Sequence, residues 1–157
     1  MLTIGLKPVT AADLDFVRVL YASTRQHELA GTGWPQAQID VFLGQQFQAQ
    51  QQHYNRFYPE ASHELIVFQD QPIGRLYLDQ DPAMLRIVDI ALLPDWCGRG
   101  IGSQLLRQLL GQASTAGQVV RIHVERHNPA LRLYQRLGFT LVEDKGVYLM
   151  LQRGSDT

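Results

Sequence analysis

The chain has one cysteine, Cys97, among its 157 residues. A single thiol forms no intramolecular disulfide and no cysteine-based zinc site, and this usage points to a reducing cytoplasm. His123-x-Glu125 matches the start of a zinc-deaminase signature, but that site needs two further cysteines. His123 and His127 fall in a strand and its following loop, not one turn apart on a helix, so no metal is expected. Basic residues are not in excess either. Lys and Arg number 14 against 15 Asp and Glu, a formal net charge of −1, which argues against a nucleic-acid or anionic-membrane partner. No apolar run reaches membrane-spanning length, and residues 1–7 carry no basic segment leading into a long apolar one. A soluble chain, neither exported nor anchored, is the expectation. The common nucleotide motifs are missing too: Gly98-x-Gly100-x-Gly102 is neither G-x-G-x-x-G nor G-x-x-x-x-G-K-[ST].

What is present fits one α/β domain spanning residues 1–157. Residues 4–9 read as a first strand, and Thr10-Ala11-Ala12-Asp13 as a capped helix start burying Leu14, Val17 and Tyr21. Periodicity then fails, so residues 23–35 read as a loop, long enough to suggest a function. A second helix follows over 36–56, with Ile39, Phe42, Leu43 and Phe47 at helical spacing. Its eight glutamines between Gln36 and Gln52 are expected to form a solvated face. Runs 64–69 and 73–78 read as a hairpin turning at Asp70-Gln71-Pro72. Strand 85–93 ends at Pro94, a helix spans about 100–116 and ends at Gly117, and strand 119–125 follows, parallel to 85–93. Asn128-Pro129 opens a further helix, residues 140–144 and 147–151 form a last hairpin, and 154–157 read as a frayed tail.

The residues between strand 85–93 and its helix carry the strongest chemical signal. Alternate glycines let backbone approach a ligand closely, and the first amides of a helix have no partner inside it. Such a turn either grips phosphate or pyrophosphate or is a plain strand-to-helix connection. A resemblance carried by three ordered segments favours the first reading. Ile90-Ala91-Leu92-Leu93-Pro94-Asp95-Trp96, Cys97-Gly98-Arg99-Gly100-Ile101-Gly102 and Asn128-Pro129-Ala130-Leu131-Arg132-Leu133-Tyr134-Gln135-Arg136-Leu137-Gly138-Phe139 resemble, in order, three parts of the GNAT superfamily of acyl-CoA-dependent N-acetyltransferases. These are its bulged fourth strand, its [Q/R]-x-x-G-x-[G/A] pyrophosphate loop, and its helix with a Gly-Phe ending.

The resemblance implies a single mixed, mostly antiparallel twisted sheet of about seven strands, with a central parallel splayed pair and about four helices on its faces. It implies acetyl-CoA as cosubstrate and direct acetyl transfer to a primary amine of a small molecule or a protein or peptide. Ile90, Ala91 and Leu92 would pair with the pantetheine arm. Gly98, Arg99, Gly100, Ile101, Gly102 and Ser103 would hold the pyrophosphate, and Asn128 would contact the cofactor or cap its helix. Cys97 departs from the family's Gln or Arg, removing one side-chain contact.

Tyr134 is the candidate general acid, since a phenol stays protonated at neutral pH. For the general base there are two candidates. His123 matches by spacing a catalytic glutamate of some family members. Asp89 is a carboxylate among apolar neighbours, where desolvation raises its pKa. Arg25, Glu28, Trp34 and Tyr54 form the expected substrate wall, with Glu28 attracting a cationic amine. A non-catalytic acyl-CoA sensor or interaction domain is the alternative function, and monomer and homodimer are both compatible with the sequence.

Overall fold

The structure is a computed structural model that describes residues 3–154. The tail expected at 154–157 therefore lies, beyond Gly154, outside the described residues. In chain order the elements are β1 (Gly5–Pro8), α1 (Leu14–Ala30), α2 (Gln36–Phe57), β2 (Ser62–Phe68), β3 (Gln71–Gln80) and β4 (Met84–Leu92). Then come α3 (Ile101–Ala116), β5 (Val119–Glu125), α4 (Leu131–Arg136), β6 (Thr140–Asp144) and β7 (Tyr148–Arg153). Among the described residues the strands make one seven-stranded sheet in the order β1-β2-β3-β4-β5-β7-β6. Every pairing is antiparallel except β4 with β5, so the expected mixed sheet with its parallel centre is what forms. No helix among the described residues is long and apolar enough to cross a membrane.

Strand periodicity explains the layering. In β5, Val120, Ile122 and Val124 are buried while Arg121, His123 and Glu125 between them are only partly covered, because alternate side chains point to opposite faces. The apolar set joins Ile66, Leu76, Leu85 and Ile87 beneath Leu105 and Leu109 of α3 and Tyr134 of α4. On the other face Val17, Tyr21, Ile39, Leu43 and Phe47 from α1 and α2 close over Leu65. One sheet thus has two cores, and the polar side chains of β3, β4 and β5 share the α1–α2 face.

Four local expectations need correction. Helix α1 continues through Ala30, so the long loop expected from residue 23 shrinks to residues 31–35. No glycine or proline interrupts residues 23–30, and the hydroxyls of Ser23 and Thr24 fold back onto the carbonyls of Leu20 and Tyr21. The periodicity faded because in this part of α1 only Leu29 packs against the core, and only in part. Leu14, expected to be buried, is 44% exposed, and Leu20 takes its place in the stripe. The first hairpin turns at Gln69 and Asp70, both left-handed with φ of 50° and 64°, not at Asp70-Gln71-Pro72. Pro72 lies inside β3, beside a register shift at Ile66/Val67, where a missing N–H is tolerated. Finally, α4 begins at Leu131. Asn128 stands three residues before it and accepts the Ala130 amide at 2.8 Å, an Asx turn ahead of the helix.

His63 on β2 stacks on Tyr77 of β3 with ring centroids 4.5 Å apart, and its Nε2 is buried without a hydrogen-bond partner. Burial first, then the charge of Arg75, pulls its pKa from 6.5 to about 4. The unfolded chain takes up this proton near pH 6.5 and the folded one only near 4, so folding stability falls as pH drops through that window. Thermal melts should show a smaller drop in Tm from pH 7 to pH 5 for His63→Phe than for the wild type. An equal drop would mean that His63 does not set the acid sensitivity.

Candidate active site

The ladder between β4 and β5 runs only from Met84↔Val119 to Ile87↔Ile122. Beyond it β4 pairs with β3 alone, through Ile90, Ala91 and Leu92, and residues 123–125 of β5 pair with β7 alone. Two strand edges with unused amides and carbonyls therefore face each other across a widening cleft. The cause is local. Tyr77 pairs with Asp89 and Leu78 with Ile87, which leaves Val88 as an extra residue in β4. A bulge of this kind bends its strand and shifts the side-chain phase by one. The far end of β4 is fixed against β3 by Gly74, where a Cβ would come within 2.2 Å of the Ala91 carbonyl oxygen. The Leu93 amide also donates to the Ile73 carbonyl at 2.8 Å.

At the cleft mouth the chain turns through Gly98 and Gly100, with φ of 76° and 81°, and enters α3. These left-handed conformations favour glycine on backbone grounds, although a Cβ at either position would meet open space. Among the described residues, no hydrogen bond inside the chain is donated by the amides of residues 98–103; the first bond of the helix comes from Gln104 to the Gly100 carbonyl. Six consecutive N–H groups at the positive end of a 16-residue helix form an anion cradle. Arg99 adds charge, its guanidinium 4.7 Å from the centroid of the Trp96 ring. Cys97 contributes nothing to the cradle, since its thiol turns back toward the carbonyls of Leu92 and Leu93 at 3.7 and 3.6 Å.

Tyr134 stands on the α3–α4 side of the cleft, buried, with Phe139 edge-on at 5.8 Å. Burial, together with the negative charge of Asp89, pushes its pKa up to about 12, so the phenol stays protonated across the physiological range. On the opposite face the surroundings of Asp89 differ from the apolar setting read from the sequence. Its Oδ2 accepts from Nε and Nη2 of Arg75 at 2.9 and 2.5 Å, and Nη2 also donates to Gln50 Oε1 at 2.6 Å. Asp89 is thus half of an ion pair with an arginine only 2% exposed. Gln50, expected on the solvated glutamine face, is the outer clamp of that pair. Arg75 was missed although it is the single charge between Ile73 and Leu78, and its position inside a central strand was the available signal.

A cavity of about 690 Å³ opens on this face. His123 and Val88 form its floor, Tyr54 and Tyr58 of α2 and Arg25 of α1 its sides, and Tyr148 its far wall. The pKa of His123 is lowered below 6.5, first by burial and then by Lys145 and Arg86, so its imidazole is neutral at pH 7. Of the four residues expected to bound the substrate, Arg25 and Tyr54 line the cavity. Glu28 does not; Arg25 holds its carboxylate at 3.0 Å, so it offers no free charge to an amine. Trp34 packs edge-on against Phe42 at 5.5 Å, away from the cavity.

The family model described as "Acetyltransferase (GNAT) domain" matches residues 61–141. No curated protein matches. Among solved structures, the PaiA N-acetyltransferase from Thermoplasma acidophilum, in complex with coenzyme A, is similar at a TM-score of 0.73 and 15% identity, covering 98% of this chain and 100% of that one. An acetyltransferase from Thermus thermophilus gives 0.67 and 23%, covering 97% of each chain. Arabidopsis thaliana Naa50, with the bisubstrate analogue CoA-Ac-MVNAL, gives 0.63 and 16%, covering 98% of this chain and 100% of the other. At these identities the likeness is one of fold.

Removing one partner of a buried ion pair strands the other. Arg75→Met should lower the unfolding free energy in urea by about 3 kcal/mol, and adding Asp89→Asn should restore a large part of it. A loss below about 1 kcal/mol for the single variant would show that the pair does not hold the site.

Proposed function

This chain belongs to the GNAT acetyltransferase family, and from that premise we propose that it transfers an acetyl group from acetyl-CoA to a primary amine by direct attack within a ternary complex. The observation that carries the proposal is the coincidence of the two unpaired strand edges with the unsatisfied amides of residues 98–103. Acetyl-CoA laid into the cleft would set its pyrophosphate on the amides at the start of α3. Its pantetheine arm would lie along Ile90, Ala91 and Leu92, and its thioester would reach the bulge. A free N–H there would donate to the carbonyl oxygen as negative charge develops.

The acceptor approaches from the cavity on the α1–α2 side. Its nitrogen lone pair forms a bond to the thioester carbon, the C–S bond breaks, and the sulfur leaves with the electron pair. Tyr134 supplies a proton to that thiolate, and its raised pKa keeps the proton available until it is needed. His123, neutral at pH 7, takes the proton lost by the amine. Asp89, held by Arg75, serves to position and stabilise charge, and is the rival base. Asn128 spends its side-chain oxygen on the Ala130 amide and so orders the turn that delivers Tyr134.

Turnover is read as release of CoA thiol. Tyr134→Phe should retain acetyl-CoA binding and lose at least tenfold in kcat, about 1.4 kcal/mol of transition-state stabilisation. Because His123 titrates below 6.5, the acidic limb of the pH–rate profile should lie below that pH. His123→Gln should remove the limb, while Asp89→Asn keeps it. The reverse pattern would make Asp89 the base. Acetyl-CoA binding without thiol release from any amine would leave a non-catalytic acyl-CoA domain.

A further inference from the structure

The acceptor cavity is lined by Arg25, Arg86 and Lys145 and by no carboxylate. The acids nearby are engaged outside it. Glu28 and Glu125 clasp Arg25 at 3.0 and 3.7 Å, Asp89 is bound to Arg75, and Glu143 stands 4.0 Å from Lys145 with both side chains about half exposed. Arg86 differs from the other two: Asp79 stands opposite it on the β3–β4 ladder, yet none of the ion pairs among the described residues includes Arg86. Its guanidinium lies 6.0 Å from the centre of the Tyr58 ring, with Nη1 3.5 Å from His123 Nδ1. An aromatic face and an imidazole leave most of the five donors of a guanidinium unused. A partly buried charge with no carboxylate in ion-pair contact gains from a ligand that brings one. The cavity is open to solvent along Lys145 and Tyr148, and its volume of about 690 Å³ gives room for a small molecule.

We propose that the acceptor is a small molecule bearing a carboxylate or a phosphate as well as its amine, with the anion bound by Arg86 and Lys145 and the amine directed to His123. The assignment rests on the acetyl-transfer reading above. Positive charge in the cavity would do two things at once. It binds the anion through charge-assisted hydrogen bonds, and it disfavours the ammonium form of the neighbouring amine, raising the share of the nucleophilic neutral form. The bound anion offsets part of the second effect, so the gain is largest when anion and amine are separated by several bonds. An unsubstituted aliphatic amine gains neither contact.

The test uses matched amines of equal chain length ending in a carboxylate, a phosphonate or a neutral amide. Each is assayed for CoA thiol release and, by calorimetry, for binding to the complex of the enzyme with CoA. At least one anionic series should exceed the amides in kcat/KM by about tenfold or more, and comparing the two anionic series identifies the anion. Arg86→Gln, and separately Lys145→Gln on the exposed β6–β7 turn, should each narrow that ratio. Amides or peptides that turn over as well as the anionic amines, or a ratio untouched by both variants, would overturn the anion site and leave acetyl transfer standing. Anion-dependent binding that weakens in Arg86→Gln, with no thiol released from any amine, would uphold the anion site and overturn the transfer reading. Absence of both binding preference and release would overturn both.

Discussion

One extra residue in a central strand governs the geometry of the site. With Val88 unmatched across the β3–β4 ladder, Asp89 faces Tyr77 and Ile87 faces Leu78. Without the insertion Asp89 would share the phase of Ile87 and point into the leucine-rich layer beneath α3. With it, the carboxylate reaches the α1–α2 face and meets Arg75. The same irregularity falls where the parallel ladder stops, since a strand that bends at Val88 cannot keep its slanted bonds to a straight neighbour. A cleft, a buried ion pair and a polar cavity thus share a single cause.

The cleft divides the chemistry between two faces. On one side, backbone amides at the start of α3 supply partial positive charge without side-chain entropy, which suits a ligand held by its phosphates. On the other, side chains of α1, α2, β4, β5 and the last hairpin shape a cavity whose charges are largely paired except at Arg86. Tyr134 and His123 approach from opposite faces, and their pKa values are displaced in opposite directions, upward for the phenol and downward for the imidazole. Each displacement favours the neutral form, which is what the proposed roles of Tyr134 as acid and His123 as base require at one pH.

What the sequence revealed follows from where its signals are local. Glycine spacing, the cap at Gly117 and the alternation in residues 119–125 depend on neighbouring residues, and the loop, α3 and β5 form where they indicate. The order of motifs from Ile90 to Phe139 implied the seven-stranded sheet with its parallel centre, which forms. Arg75, Gln50 and Arg86 were missed because their importance comes from contacts between distant elements. Gln50 is one glutamine among eight on α2, and only the approach of β3 singles it out. Glu28 shows the converse: a carboxylate that looked available in sequence lies one helical turn from Arg25, which neutralises it. The end of α1 was hidden because helical periodicity reports burial, and residues 23–30 contribute little to the core.

Backbone-amide NMR during titration with acetyl-CoA tests the central claim most directly. The amides of Gly98, Gly100 and Ser103 and those of Ile90, Ala91 and Leu92 should shift together and saturably, while those of Gln45 and Gln48 on the exposed side of α2 stay in place. Loop amides that do not respond at saturating acetyl-CoA, or shifts confined to another surface, would contradict the account.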